Sequence, residues 1–211
     1  MTALMLIRGH GFRKGRSGQS VPDPLTKEQQ FKAVQTILDY VIVPLEHLLG
    51  HCVKIVVDIN TGGLFQSEFK NHVRSVFGKR LVYYNDRRKV LESQRQTLAS
   101  IFQSHKEYIT SADLFVMSRI DLIWKNKFVP AKLDTKSIIA PYYKKDGVGV
   151  GDTIFYIPRP RVEAFVRFCS LHKDANTNQH MISHKLDGVK VVSQSGGLFT
   201  HHDIVGRNRC E

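Results

Sequence analysis

Residues 111–127 read Ser111-Ala112-Asp113-Leu114-Phe115-Val116-Met117-Ser118-Arg119-Ile120-Asp121-Leu122-Ile123-Trp124-Lys125-Asn126-Lys127. Leu114 to Met117 form a short apolar run, the pattern of a strand buried on both faces. Polar residues stop it at Ser118, Arg119 and Asp121. In an open α/β sheet, ligands bind just outside the carboxyl ends of the strands. A guanidinium and a carboxylate two residues apart at such an edge can serve a phosphate and a metal ion. They can equally be an Arg–Asp pair that merely caps the strand.

Working outward, similar strand ends recur. Ala3 to Ile7 is apolar, and Arg8-Gly9-His10-Gly11-Phe12-Arg13-Lys14 follows as a basic, glycine-containing loop. It has neither the Walker nor the G-x-G-x-x-G spacing. Gly15 to Pro24 reads as loop, and Thr26 with Gln29 as the start of a helix. Phe31, Val34, Ile37, Leu38 and Val41 continue that helix, which Pro44 and Gly50 are expected to end. Val53 to Val57 is a β-branched strand closing at Asp58, followed by a helix over Glu68 to Phe77. Leu81 to Tyr84 is a third strand, and a long helix is expected over Arg88 to Tyr108. The β-α-β-α-β-α-β order argues an α/β fold with a mainly parallel sheet flanked by helices.

Beyond Lys127 the pattern is less regular. Strands are expected at Ser137 to Ala140, around Ile154 to Pro158 and at Val189 to Ser193, with helices over Arg161 to Leu171 and Asn176 to Lys185. Tyr142 to Gly147 reads as a loop and Leu198 to Arg209 as a polar tail. No interdomain linker stands out. Residues 1–211 therefore read as a single domain, with a nucleotide-binding half at 1–127 and an acceptor half at 128–211, as a whole chain or as a piece of a longer one.

The net charge is +12 and the sequence pI about 9.7, which favours anionic partners without choosing among them. Basic clusters such as Lys79-Arg80, Arg87-Arg88-Lys89 and Lys144-Lys145 are scattered, and no nucleic-acid motif accompanies them. A sequence-independent nucleic-acid-binding module is the rival reading, and another nucleotide-dependent α/β enzyme a third. Specific nucleic-acid recognition is not expected. The three cysteines, Cys52, Cys169 and Cys210, are odd in number and lack metal-site spacing, so a disulfide framework is not expected, which favours a reducing, cytoplasmic setting. No transmembrane segment or signal peptide is expected. His172, His180 and His184 are too loosely spaced for a zinc site. Nucleophile motifs of the G-x-S-x-G kind are absent.

The segment Phe115-Val116-Met117-Ser118-Arg119-Ile120-Asp121-Leu122-Ile123 resembles the strand-then-R-x-D signature of one group of GT-A-type glycosyltransferases, where it replaces the D-x-D metal motif. Gly151-Asp152-Thr153-Ile154-Phe155-Tyr156-Ile157-Pro158 is similar to the later G-D-x-x-F segment of that group. Leu6-Ile7-Arg8-Gly9-His10 resembles its first strand and nucleotide-facing loop. Together these motifs span most of the chain in the family's order, and the glycosyltransferase domains that build viral capsid glycans are among those it resembles.

The resemblance implies a GT-A-like mixed sheet of about six strands, a UDP-sugar donor, Mn²⁺ or Mg²⁺, a glycan acceptor, and rhamnose or another hexose as the sugar. Arg8, Gly9, His10 and Asp58 would then shape the nucleotide pocket. Asp121 would hold the metal, with Arg119 orienting a phosphate or Asp121 itself. Asp152 would act at the sugar or the acceptor hydroxyl, as base if the reaction inverts. A second metal ligand would come from His202 or its neighbour His201.

Overall fold

The computed structural model describes residues 1–14, 21–87, 94–130, 133–140, 153–171, 189–191 and 202–204. Strand β1 (Ala3–His10) is followed by β2 (Arg13–Lys14) and β3 (Val21–Pro22), which pair antiparallel. Helix α1 (Lys27–Ile37) runs through a π-helical turn at Leu38–Ile42 into α2 (Val43–Leu49). Then come β4 (Lys54–Asn60), α3 (Gln66–Phe77), β5 (Leu81–Asp86), α4 (Gln94–Ser104), α5 (Lys106–Ser111), β6 (Leu114–Arg119) and β7 (Leu122–Trp124). The rest comprises β8 (Ile138–Ala140), β9 (Ile154–Pro158), α6 (Arg159–Leu171), β10 (Val189–Val191) and β11 (His202–Ile204).

The main sheet has seven strands in the order β10-β8-β9-β6-β1-β4-β5, against about six expected. The Thr2 carbonyl accepts from the Leu114 N–H, and the Arg8 carbonyl accepts from the Ile120 N–H, so β1 and β6 run parallel. The β4–β5 and β8–β10 pairs are also parallel, whereas β9 runs antiparallel to both β6 and β8. This is the mixed, mainly parallel α/β sheet that the β-α alternation predicts.

Contacts divide the chain into two compact units. One comprises Met1–Leu6, Val90–Ser118 and Pro130–Phe199. Its core holds Leu4, Met5, Leu6, Phe102, Phe115, Phe155 and Phe165, all buried. The Phe155 and Phe165 rings lie 5.5 Å apart. The other comprises Ile7–Lys89, Arg119–Val129 and Thr200–Glu211. Its core joins the stripe Val34, Ile37 and Val41 to Val56, Phe69, Val73, Trp124 and Phe128.

Several boundaries differ from expectation. Thr26 occupies the N-cap position of α1 but makes no side-chain cap, whereas Asp23 caps the 3-10 turn Pro24–Thr26 that leads into it, its side chain accepting from the Leu25 N–H at 2.9 Å. Pro44 does not end the helix. It sits in the first turn of α2, where a missing N–H costs little, and the π-turn before it absorbs the interruption. Gly50 ends α2 in the left-handed conformation (φ 74°), as expected of a helix-terminating glycine. The long helix divides at His105 into α4 and α5. Within the tail, His202–Ile204 forms a strand on β7. The expected helix at 176–185 and loop at 142–147 lie outside the described residues.

Candidate functional site

Arg8, Gly9 and His10 belong to β1 itself, not to a loop beyond it. Arg8 is buried at 4% exposure. Gly9 has φ 120°, a conformation that side-chain-bearing residues rarely adopt. A Cβ there would lie 3.9 Å from the Ile120 side chain. The chain then crosses to β4, where the Gly11 N–H donates to the Asn60 carbonyl at 2.9 Å.

Asp58 also lies within its strand, two residues before the end of β4. Arg87 grips it bidentately, Nε to Oδ1 at 2.5 Å and Nη2 to Oδ2 at 2.9 Å. The β4–β5 register sets Asp58 opposite Asn85 and Ile59 opposite Asp86. Asp86 in turn accepts from the Thr61 N–H (3.0 Å) and hydroxyl (2.7 Å), fixing the turn that leaves β4. The Asn60 side chain closes that turn by accepting from the Gly62 N–H at 2.7 Å.

Arg119 and Asp121 repeat the arrangement. Nε donates to Oδ1 at 2.8 Å and Nη2 to Oδ2 at 2.6 Å. In each pair the carboxylate is buried and the guanidinium reaches outward. Side-chain exposure is 0% for Asp58 against 15% for Arg87, and 1% for Asp121 against 13% for Arg119. A paired, bidentate guanidinium is held in one orientation, which suits it to meet a planar or tetrahedral oxyanion.

Two phenylalanines flank these strand ends in the left-handed region, Phe12 at φ 53° and Phe65 at φ 50°. Each conformation costs on the order of 1–3 kcal/mol and persists only where packing over-determines it. Here the two rings pack at 5.2 Å, and Phe12 meets Phe69 edge-on at 5.0 Å. The Lys27 ammonium lies 4.8 Å from the Phe65 ring centroid.

Metal binding at Asp121 has a specific constraint. Among the described residues, no group of three His, Cys, Asp or Glu side chains is placed to hold an ion. Arg119 occupies both oxygens of Asp121, but a carboxylate offers about four lone-pair positions. Asp121 therefore fits as one ligand of a Mg²⁺- or Mn²⁺-type shell completed by substrate phosphates and waters, and not as part of a self-sufficient cage. Because its side chain is 1% exposed, Arg119 would have to give way as the ion arrived. On β11, His202 pairs with Trp124 and Ile204 with Leu122, so His202 lies three positions along from Asp121. Asp152 and His201 lie outside the described residues.

The residues missing from the sequence reading are Arg87 and Gln30. Arg87 was visible only as part of a basic run. Gln30 is a fully buried polar residue, and the helix pattern Phe31, Val34, Ile37, Leu38 and Val41 carries no signal for it. A cleft of about 470 Å³ lined by Glu46, His51, Cys52 and Arg80 lies at the opposite, amino-terminal end of β4. That is the wrong end of the strand for a ligand site in such a sheet.

No protein-family model matches the chain, and no curated protein matches it at a significant level. Solved structures do resemble it. The apo glycosyltransferase GlyE of Streptococcus pneumoniae aligns with a TM-score of 0.50 and 9% identity, covering 91% of this chain and 45% of that one. A Desulfovibrio desulfuricans protein assigned as a nucleotide-diphospho-sugar transferase aligns with a TM-score of 0.50 and 10% identity, covering 92% and 80%. A glycosyltransferase that acts in glycosylation of the major capsid of the virus PBCV-1 aligns over 90% and 82% at 9% identity, with a TM-score of 0.44 that adds nothing to the fold assignment. The chain thus spans a little under half the length of the pneumococcal protein. It shares the GT-A-like α/β fold of the pneumococcal and Desulfovibrio structures.

Proposed function

We propose that the chain is a nucleotide-sugar-dependent glycosyltransferase, using a UDP-sugar donor and a glycan acceptor. The observation that carries this reading is the doubled Asp–Arg device at the carboxyl edge of β4, β5 and the 119–121 turn, on a GT-A-like fold. Transfer of a sugar leaves negative charge on a departing nucleoside diphosphate. Pre-oriented cationic groups at that edge stabilise such charge with little reorganisation. Arg87, aimed by Asp58, supplies charge, and Arg119, aimed by Asp121 until an ion displaces it from the carboxylate, then turns to meet the phosphates. Arg8, Gly9 and His10 form the wall beside the nucleotide. A divalent ion, Mn²⁺ or Mg²⁺, would be held by Asp121 and would neutralise the diphosphate further. Asp152 is the proposed base. The resemblance in the sequence motifs supplies uridine, a rhamnose-like hexose and the capsid-glycan setting, and the cysteine usage supplies the cytoplasm.

The direct test is ligand-induced stabilisation. At about 100 times its dissociation constant, a ligand specific to the folded state adds roughly 2.7 kcal/mol. At about 2–4 °C per kcal/mol, UDP with Mn²⁺ should raise Tm by roughly 5–10 °C. GDP or CMP with Mn²⁺ should do much less. Equal shifts with every nucleotide would reduce the site to a phosphate sink, and no shift at saturation would refute the reading.

A further inference from the structure

We propose that Gln30 is a positioning residue for the candidate donor site, locking the backbone between Arg119 and Asp121 to the chain leaving β1. The proposal rests on the donor-site reading above. Gln30 projects from α1 and is fully buried, where an amide is costly unless hydrogen-bonded. Its Oε1 accepts from the Phe12 N–H at 3.2 Å, and its Nε2 donates to the Ile120 carbonyl at 2.8 Å. The Ile120 N–H donates to the Arg8 carbonyl at 2.8 Å. Both backbone groups of Ile120 are thereby held, one by Gln30 and one by β1.

Ile120 is the residue between the two members of the Arg119–Asp121 pair. A rotation of its peptide groups turns both side chains at once. At its other end, Gln30 holds Phe12 in the left-handed conformation, with the Asp23 N–H donating to the Phe12 carbonyl at 2.6 Å. One amide therefore sets the angle of the Arg119–Asp121 turn against the nucleotide-facing end of β1. Phe12 and Ile120 are both fully buried, so water cannot replace either bond without repacking.

The test uses two variants. Gln30→Met keeps the volume and removes both bonds. Gln30→Glu, assayed at a pH high enough to ionise the buried carboxyl, keeps the acceptor for Phe12 and removes the donor to Ile120. Amide exchange without nucleotide should speed up at Phe12 in Gln30→Met but not in Gln30→Glu, with Val34 and Ile37 unchanged in both. Donor turnover, read as UDP-sugar hydrolysis, should fall in both variants by about 10–100-fold, the size of effect that roughly 1 Å misplacement produces. A purely structural role would lower Tm in both but leave kcat and KM of the folded fraction at wild-type values, and that result overturns the proposal. So does unchanged exchange at Phe12 in Gln30→Met. If wild-type protein binds no UDP and hydrolyses no UDP-sugar, the donor-site reading falls and this role falls with it, while the exchange data still report whether Gln30 holds the turn.

Discussion

Arg87, the residue that follows β5, grips Asp58 of the neighbouring parallel strand β4 through two hydrogen bonds of 2.5 and 2.9 Å, with the carboxylate fully buried. The Arg87 N–H also donates to the Ile59 carbonyl at 2.7 Å, so backbone and side chain pin the same residue to β4. Breaking a buried pair by removing one partner costs about 3–5 kcal/mol. Arg87 retains some contact with water, so Asp58→Asn should lie near the lower figure. At about 2–4 °C per kcal/mol, Tm should drop by roughly 6–12 °C, and Asp58→Asn with Arg87→Gln together should recover part of it. A drop below about 2 °C would show that the pair contributes little to the fold.

Asp121→Asn should remove the Mn²⁺-dependent part of UDP binding and leave a folded protein. The substitution weakens Arg119's anchor and takes away the one described carboxylate suited to the ion. Thermal shifts with UDP should then be the same in Mn²⁺ and in chelator. A full Mn²⁺-dependent response in the variant would exclude Asp121 as the ligand.

Asp152→Asn should lower turnover far more than donor affinity. Positioned acid–base groups contribute about 10²–10⁴-fold in rate. Wild-type rates of both transfer and donor hydrolysis would make Asp152 structural, and a loss confined to UDP affinity would move it to the nucleotide pocket.

Gly9→Ala should destabilise the protein by on the order of 1–3 kcal/mol, because φ 120° strains any residue with a Cβ. The added methyl would meet Ile120 at 3.9 Å, an ordinary van der Waals contact, so the cost comes from the backbone conformation alone. Equal or higher stability of Gly9→Ala by chemical denaturation would contradict the strained geometry.

Glu46 predicts an acid-sensitive contribution away from the site. Burial pushes its carboxyl up, but hydrogen bonds from Arg80 and the Val53 N–H outweigh this and hold it below its ordinary 4.5. Its stabilising contribution is therefore present above about pH 4.5 and is lost as pH falls through the lower folded value. The stability gap between wild type and Glu46→Gln, measured by chemical denaturation, should shrink as pH falls below 4.5. A gap that widened on acidification would reverse the assigned direction.

The α/β alternation and the four leading strands are legible along the chain, because period and punctuation are local properties, but β6 does not stop at Met117: it runs on through a buried Ser118 to Arg119 because Ser118 pairs with Ile154. Burial was legible too wherever apolar residues ran together, as in Leu114 to Met117. Pairing was not. That Asp58 meets Arg87, 29 residues away, follows from the parallel register of β4 on β5, which no local signal carries. The strand at Leu122–Trp124 exists because His202–Ile204 pairs with it, some eighty residues later. The helix continues past Pro44 because a π-turn accommodates it, a matter of backbone geometry rather than composition. Gln30 carries no signal in the helix pattern Phe31, Val34, Ile37, Leu38 and Val41, and only the tertiary structure brings Phe12 and Ile120 to the two ends of its amide. A hydrogen bond needs its partner within about 3 Å, and folding alone decides which distant residue arrives there.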